Sequence, residues 1–256
     1  MTSQQMQNLK NTPWRIISMQ IKAMTFNTQH CLNFNTQKID FDVMALAIKE
    51  CEPDIVVLNE MRGKGVDPNF QSQTEILGAR LGYNGFFGYA IMLPSGPYGN
   101  AILSRFPIVS AQTVIVPNPV VPANQFVRYE TRAFISARVL LPDGRELTVL
   151  GTHFGLEGGQ KENSITVFQK LYTPNLCVFM GDLNVKPDNP ILNPIRKLMQ
   201  DAGDMLPQNA CCTFPSDAPK EKIDYIFCSQ DMNIVSAEIP NIVASDHRPH
   251  TAIIDC

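Results

Sequence analysis

The chain has 256 residues, 44% of them hydrophobic and 18% charged, enough apolar content for a large core and too much for a disordered segment. No run of 18 or more apolar residues occurs, which excludes a membrane-spanning helix. Twenty-one Lys and Arg against 24 Asp and Glu give a formal charge of −3, which argues against the broad basic face that grips long nucleic acid.

In chain order, residues 14–27 (WRIISMQIKAMTFN) are apolar and β-branched and predict a strand. A helix follows over 39–51, with Asp40 and Asp42 in its first turn, Val43, Leu46, Ala47 and Cys51 on one side, and Pro53 beyond its end. DIVVLNE (54–60) predicts a short strand buried on both faces. A second helix over 70–82 stops at Gly82, and strand-like pieces follow at 83–93, 99–104, 109–116, 127–140 and 145–152. Asp143-Gly144 marks a hairpin turn between the last two, and residues 117–124 form an irregular proline-rich loop. A third helix over 160–172 precedes a strand at 176–182. A fourth helix is expected over 190–200, between Pro190 and Gly203, and strands at 223–229, 232–239 and 249–255 complete the chain.

Hairpins join some strands while helices separate others, so the expected fold class is α/β: a two-layer β-sandwich of mixed sheets with helices outside both. No internal repeat interrupts it, and residues 1–256 read as a single domain with 1–13 as a flexible N-terminal extension. The opening segment lacks the apolar run of a secretory signal, which makes the cytoplasm the default expectation, although earlier processing leaves no trace in such a sequence. Seven cysteines without a CxxC pair argue against a disulfide framework and against a cysteine zinc site. No GxGxxG or GxxxxGK[ST] loop is present.

The informative feature is where polar residues fall. Asn27, Glu60, His153, Asp182 with Asn184, Asp224, and Asp246 with His247 each sit at or just past the end of an apolar strand. Taken singly, each has an ordinary reading: a turn asparagine, a surface ion pair of Glu60 with Arg62, a satisfied structural histidine, an Asx turn at Asp182. Together they are hard to dismiss. Burying several unpaired anions costs many kcal/mol, so a positive partner is expected among them. Oxygen donors with an amide suit Mg²⁺ or Mn²⁺ better than zinc.

MTFN (24–27), VLNE (57–60), YGNAILSRFPI (98–108), GTHF (151–154), GDLN (181–184), KIDYIF (222–227) and SDHRP (245–249) occur in this order. From about residue 22 to 255 the chain resembles the endonuclease/exonuclease/phosphatase superfamily of metal-dependent phosphoesterases. The resemblance implies the four-layer αββα, DNase I-like form of the sandwich. It also implies a Mg²⁺- or Mn²⁺-dependent hydrolase of phosphate esters, phosphodiesters in the first place, working by direct water attack. In that reading Glu60, Asn27 and Asp246 hold the metal and Asp182 handles the attacking water. Asn184 orients that water, Asp224 and His247 form an acid–imidazole pair at the phosphate, and His153 contacts a non-bridging oxygen. Asn59 stands where a glutamine that supports the metal carboxylate is usual, and Gln29 where some members place an acidic residue or a histidine.

Arg128, Glu130 and Arg132, spaced by two, are expected to share one strand face, so that Arg128 and Arg132, together with Arg105 of the third motif, are candidate substrate-binding cations. A surface ion-pair ladder through Glu130 is the other reading. Lys64 is expected to be solvated, Phe86, Phe87 and Tyr89 to pack, and His30 and His250 to be structural. The expected partner is a phosphate-ester substrate, a small organic phosphate or a short nucleic-acid end, with no protein partner indicated. The alternatives are a binding module of the same fold that has lost turnover, its metal site weakened at Asn59, a nuclease acting on nucleic-acid ends, and a zinc hydrolase.

Overall fold

The computed structural model describes residues 19–66, 70–121 and 127–256. The expected extension 1–13, the start of the first strand at 14–18, and positions 122–124 of the proline-rich loop lie outside the described residues. Among these, the elements run β1 (Gln20–Asn27), α1 (Phe41–Cys51), β2 (Ile55–Arg62), α2 (Gln73–Leu81), β3 (Asn84–Leu93), β4 (Gly96–Ser104) and β5 (Ile108–Ile115). They continue with β6 (Ala133–Leu140), β7 (Glu146–His153), α3 (Gly158–Leu171), β8 (Cys177–Asp182), α4 (Asn193–Arg196), β9 (Met199–Asp201), β10 (Asp224–Ser229), β11 (Asn233–Glu238) and β12 (His250–Asp255).

Two six-stranded mixed sheets result, in the orders β11-β12-β1-β2-β4-β3 and β5-β6-β7-β8-β10-β9. They stack face to face because successive side chains point to opposite faces and both faces of the central strands are apolar. Ala23, Val57, Ile135, Val149, Met180 and Ile226 fill the space between the sheets. Met24, Phe26 and Leu58 lie on the outer side of the first sheet beneath Met44 and Ile48 of α1 and Leu77 of α2. Phe134, Phe179 and Phe227 lie on the outer side of the second beneath Phe168 of α3. This is the four-layer sandwich with helices outside. Burial of each large apolar side chain contributes about 1.5–3 kcal/mol. None of the described helices is long and apolar enough to cross a membrane.

Local chemistry sets the ends of the elements. The Asp40 carboxylate accepts from the Asp42 and Val43 amides and caps α1, while Gly82, at φ 70°, terminates α2. Gly144, at φ 88°, makes the turn between β6 and β7.

Three expectations are corrected. The buried stripe of α1 is Met44, Ala47, Ile48 and Cys51, the i, i+3, i+4, i+7 set; Leu46 lies two positions round from Met44 and is 57% exposed. The helix expected over 190–200 is only a 3₁₀ turn, Pro190–Leu192, and the single turn of α4. Pro194 has no N–H for the carbonyl four residues earlier, and Met199–Asp201 pairs instead with Phe227–Ser229 of β10. The strand expected over 127–140 begins only at Ala133, so Arg128, Glu130 and Arg132 do not share a strand face.

The topology gathers the polar residues at one edge. The units β1–α1–β2 and β7–α3–β8 each join parallel neighbours, so Asn27, Glu60, His153 and Asp182 come at or near the same ends of adjacent strands. β10 runs antiparallel to β8 and starts where β8 ends, with Asp224 opposite Asp182. β12 runs antiparallel to β1, pairing His250 with Thr25, so the loop carrying Asp246 and His247 reaches the same edge.

Candidate active site

Asp182 stands at the centre of the edge cluster, flanked in register by His153 on β7 and Asp224 on β10. Its Oδ2 accepts from Asn27 Nδ2 at 3.1 Å and its Oδ1 from the Asn184 amide at 2.9 Å. His153 Nε2 and His247 Nε2 lie 3.5 and 3.7 Å from Oδ2. Burial first, and the Asp224 charge second, push the Asp182 carboxyl up to about 7. Asn184 is held at φ 50° and Glu60 at φ 60°, left-handed conformations that cost non-glycine residues about 1 kcal/mol or more.

Glu60 owes its position to a β-bulge. Leu58 pairs with Ala101 and Met61 with Gly99, so Asn59 and Glu60 together oppose Asn100. The bulge breaks the alternation of faces and sends the two side chains to different tasks. Glu60 enters the cleft, where Oε1 accepts from Asn27 Nδ2 at 3.0 Å and Oε2 from the Tyr98 hydroxyl at 2.9 Å. Asn59 turns between the sheets. Its Nδ2 donates to Asn100 Oδ1 at 2.9 Å and to the Thr152 carbonyl at 2.8 Å, and its Oδ1 accepts from the Asp182 amide at 2.9 Å. Asn59 therefore bonds to no atom of Glu60; it clasps β2 to the strands that carry His153 and Asp182. Asn59→Leu strands three buried polar groups, and urea unfolding is expected to show a loss of about 3 kcal/mol or more; a change below about 1 kcal/mol contradicts the clasp.

The two histidines are held in opposite states. His247 Nδ1 lies 2.8 Å from Asp224 Oδ2. Burial opposes a charged ring there, but the Asp224 charge and hydrogen bond, with Asp182 and Asp246 behind them, push its pKa up to about 10. The Phe214 ring packs on this imidazole at 4.8 Å, fixed by backbone bonds between the 213–216 and 246–248 loops. His153 is buried, and burial, Arg132 and His247 hold its pKa well below the usual range, so it is neutral. Arg132 Nη1 lies 3.2 Å from its Nδ1, and Asn184 Nδ2 lies 2.9 Å from its Nε2. A neutral ring accepts at one nitrogen only. The guanidinium can only donate, so Nδ1 is the accepting nitrogen and Nε2 carries the proton on the cleft side, 3.5 Å from Asp182 Oδ2; the Asn184 amide nitrogen, which donates to the Phe154 carbonyl at 3.0 Å, is a neighbour of Nε2 and not its hydrogen-bond partner.

The Asp246 pKa is raised by burial first and by the Glu60 charge, against His247 and a bond from Ser245. Glu60, Asp182, Asp224 and Asp246 thus set four carboxylates against one imidazolium. Asp224 Oδ1 is buried without a hydrogen-bond partner; the trio of Asp182, Asp224 and His247, one atom each within 4.8 Å, includes the imidazolium, which leaves the Glu60 and Asp246 carboxylates for an ion. This surplus of buried negative charge and the oxygen-rich donor set fit a hard divalent cation.

The eight expected catalytic and metal residues come together. The arginines divide. Arg132 is buried at the cleft, paired with Glu130 at 2.9 Å; Arg128 is exposed on the 127–130 segment. Arg105 is a correction. It follows β4 at the end where Ser104 pairs with Ile55, five residues and about 16 Å along β2 from Glu60, and it bonds to the Tyr83 hydroxyl at 2.7 Å and faces Asp54 at 3.5 Å. Lys64 and Tyr89 are exposed, Phe86 and Phe87 partly buried against the core, and His250 is fully buried. Three residues near the site carry no separate signal in the sequence: Tyr98 lies unremarked within the third motif, Phe214 lies in none, and Lys161 of α3 contributes its charge toward Asp182.

Fold and site together define a DNase I-like sandwich with an acidic, two-histidine edge cluster. The chain belongs to the Endonuclease/Exonuclease/phosphatase family, whose sequence profile matches residues 24–247. No curated protein matches the sequence. Among solved structures, an endonuclease/exonuclease/phosphatase from Beutenbergia cavernae is 21% identical with a TM-score of 0.79, the match covering 92% of this chain and 71% of that one. The mannosyl-6-phosphatase Bt3783 of Bacteroides thetaiotaomicron is 18% identical, TM-score 0.72, covering 92% and 100%. Truncated Caenorhabditis elegans TDP2 is 15% identical, TM-score 0.63, covering 93% and 98%. At these identities the likeness is one of fold, and the family is one of phosphoesterases.

Proposed function

We propose that the protein is a Mg²⁺- or Mn²⁺-dependent phosphoesterase that hydrolyses phosphodiesters by direct in-line attack of water. The observation that carries this reading is Asp182, a buried carboxylate whose Oδ2 lies 3.5 and 3.7 Å from the Nε2 atoms of His153 and His247. Asp182 takes the proton of the attacking water, and Asn184, fixed by its backbone bond to Asp182, orients that water. His153 presents Nε2–H to a non-bridging phosphoryl oxygen. His247, kept protonated by Asp224, presents a cation to the charge developing on the phosphoryl group. Glu60, Asp246 and Asn27 would hold the metal, and a divalent ion bound there would supply Lewis-acid polarisation of the phosphoryl group. Substrates within this reading are small organic phosphates or short nucleic-acid ends, with Arg132 lining the cleft.

A turnover-deficient binding module requires a weakened metal site at Asn59, and the bonds of Asn59 run to Asp182, Asn100 and Thr152 instead of to Glu60. Hydrolysis of bis(p-nitrophenyl) phosphate tests the proposal. Activity abolished by a chelator and restored by Mg²⁺ or Mn²⁺ is expected; restoration by zinc alone, or phosphate binding without turnover, overturns it.

A further inference from the structure

The cleft around the cluster encloses about 490 Å³, and its floor is the polar set described above. Its walls are different. Leu156, Phe214, Val185 and Ile223 line it. Leu156 is 69% exposed, an uncovered aliphatic side chain three residues beyond His153. Its loop is not loose. The buried Gln160 fills the space beside Gly155, where a Cβ would lie 2.3 Å from Gln160 Oε1, and its Nε2 donates to Asn118 Oδ1 at 3.1 Å and to the Glu130 carbonyl at 2.9 Å. One side chain thus ties together three loops on the rim and holds Leu156 at the cavity wall in advance of any ligand.

The charges of the rim cancel. Lys186 pairs with Glu221 at 2.9 Å and Arg132 with Glu130 at 2.9 Å. Both of these cations already face a carboxylate, which leaves neither of them for the flanking phosphates of a polynucleotide, and strand binding is built on such contacts.

Resting on the phosphoesterase reading, we infer that the substrate is a phosphate ester of a compact organic alcohol with an apolar portion, seated against Leu156 and Phe214, and not a nucleic-acid end. The fit is that of small-ligand sites in general, an apolar wall with a few convergent polar groups. The apolar portion covers Leu156 while the phosphoryl group meets the polar floor.

The test compares bis(p-nitrophenyl) phosphate with methyl p-nitrophenyl phosphate, which share a leaving group and differ only in the second substituent, and adds a 12-nucleotide single strand, all with Mg²⁺ or Mn²⁺. The aryl-to-methyl ratio of kcat/KM is expected to fall about tenfold in Leu156→Ser, chiefly through KM for the aryl ester, and to recover in Leu156→Met. Because both ratios use the same pair of esters, intrinsic reactivity cancels. Aryl-ester hydrolysis is expected to change less than about twofold between 50 and 200 mM salt. An unchanged ratio in Leu156→Ser, or preference for the oligonucleotide with a steep salt dependence, overturns this inference and leaves the phosphoesterase reading standing. Failure to hydrolyse any of the three overturns both.

Discussion

Asp182→Asn is expected to lose about 10³-fold or more of the diesterase activity while remaining folded, because the variant keeps the shape and the acceptor for the Asn184 amide but has no basic oxygen to take a proton. The same substitution has a second, pH-dependent signature in metal-free protein. The Asp182 carboxyl is raised to about 7 in the folded chain from an ordinary value near 3.8. A raised carboxyl favours the fold fully below the unfolded value, and that contribution is lost as pH rises through about 7. The neutral amide escapes this loss. The melting temperature of Asp182→Asn relative to the native chain is therefore expected to be higher at pH 8 than at pH 4.5, by about 2–4 °C for each kcal/mol of relieved cost. Undiminished turnover removes Asp182 from the chemistry, and a difference in melting temperature that does not vary with pH removes the account of its burial.

Asp224→Asn carries the second large effect. The Asp224 charge and its hydrogen bond are the main forces raising His247 to about 10, against burial, which favours the neutral ring. With that carboxylate the imidazole stays cationic through neutral pH, and the alkaline limb of activity assigned to His247 is expected near 10. Without it, burial prevails and the limb moves down by two units or more, so that activity at pH 9 falls about tenfold or more. The linkage has a definite sign. A histidine raised on folding adds stability that is complete below about 6.5 and is lost as pH rises through about 10, so the native chain loses this increment only in strong base. A pH–rate profile of the two proteins decides the matter, and coincident alkaline limbs contradict the role given to the dyad.

Much of this site is legible in the sequence because the fold places each residue at a strand end, and strand ends show as a polar residue closing an apolar run. IVVLNE and LCVFMGD announce Glu60 and Asp182 in that way, and the parallel pairings of β1 with β2 and of β7 with β8 bring those ends together. What escapes the sequence depends on geometry that periodicity does not encode. The bulge at Asn59 and Glu60 sends neighbouring side chains to unrelated places, so the departure at Asn59 reads as a weakened metal site when it is a clasp between sheets. Arg105 shares a motif with Tyr98 yet lies at the opposite end of β4, because seven residues of extended chain separate them. Pro194 ends a helical pattern that the surrounding residues otherwise support. Leu156 gives no sign of its exposure, and the Gln160 bonds that order the neighbouring rim reach segments 42 and 30 residues away.

The most direct measurement of the central claim is the stereochemical course at phosphorus. Hydrolysis of a P-chiral phosphorothioate diester in ¹⁸O-labelled water is expected to give a product labelled at phosphorus with inverted configuration, the outcome of a single in-line attack by water at Asp182. Retention of configuration, which requires two successive displacements through the enzyme, or label in the released alcohol, contradicts it.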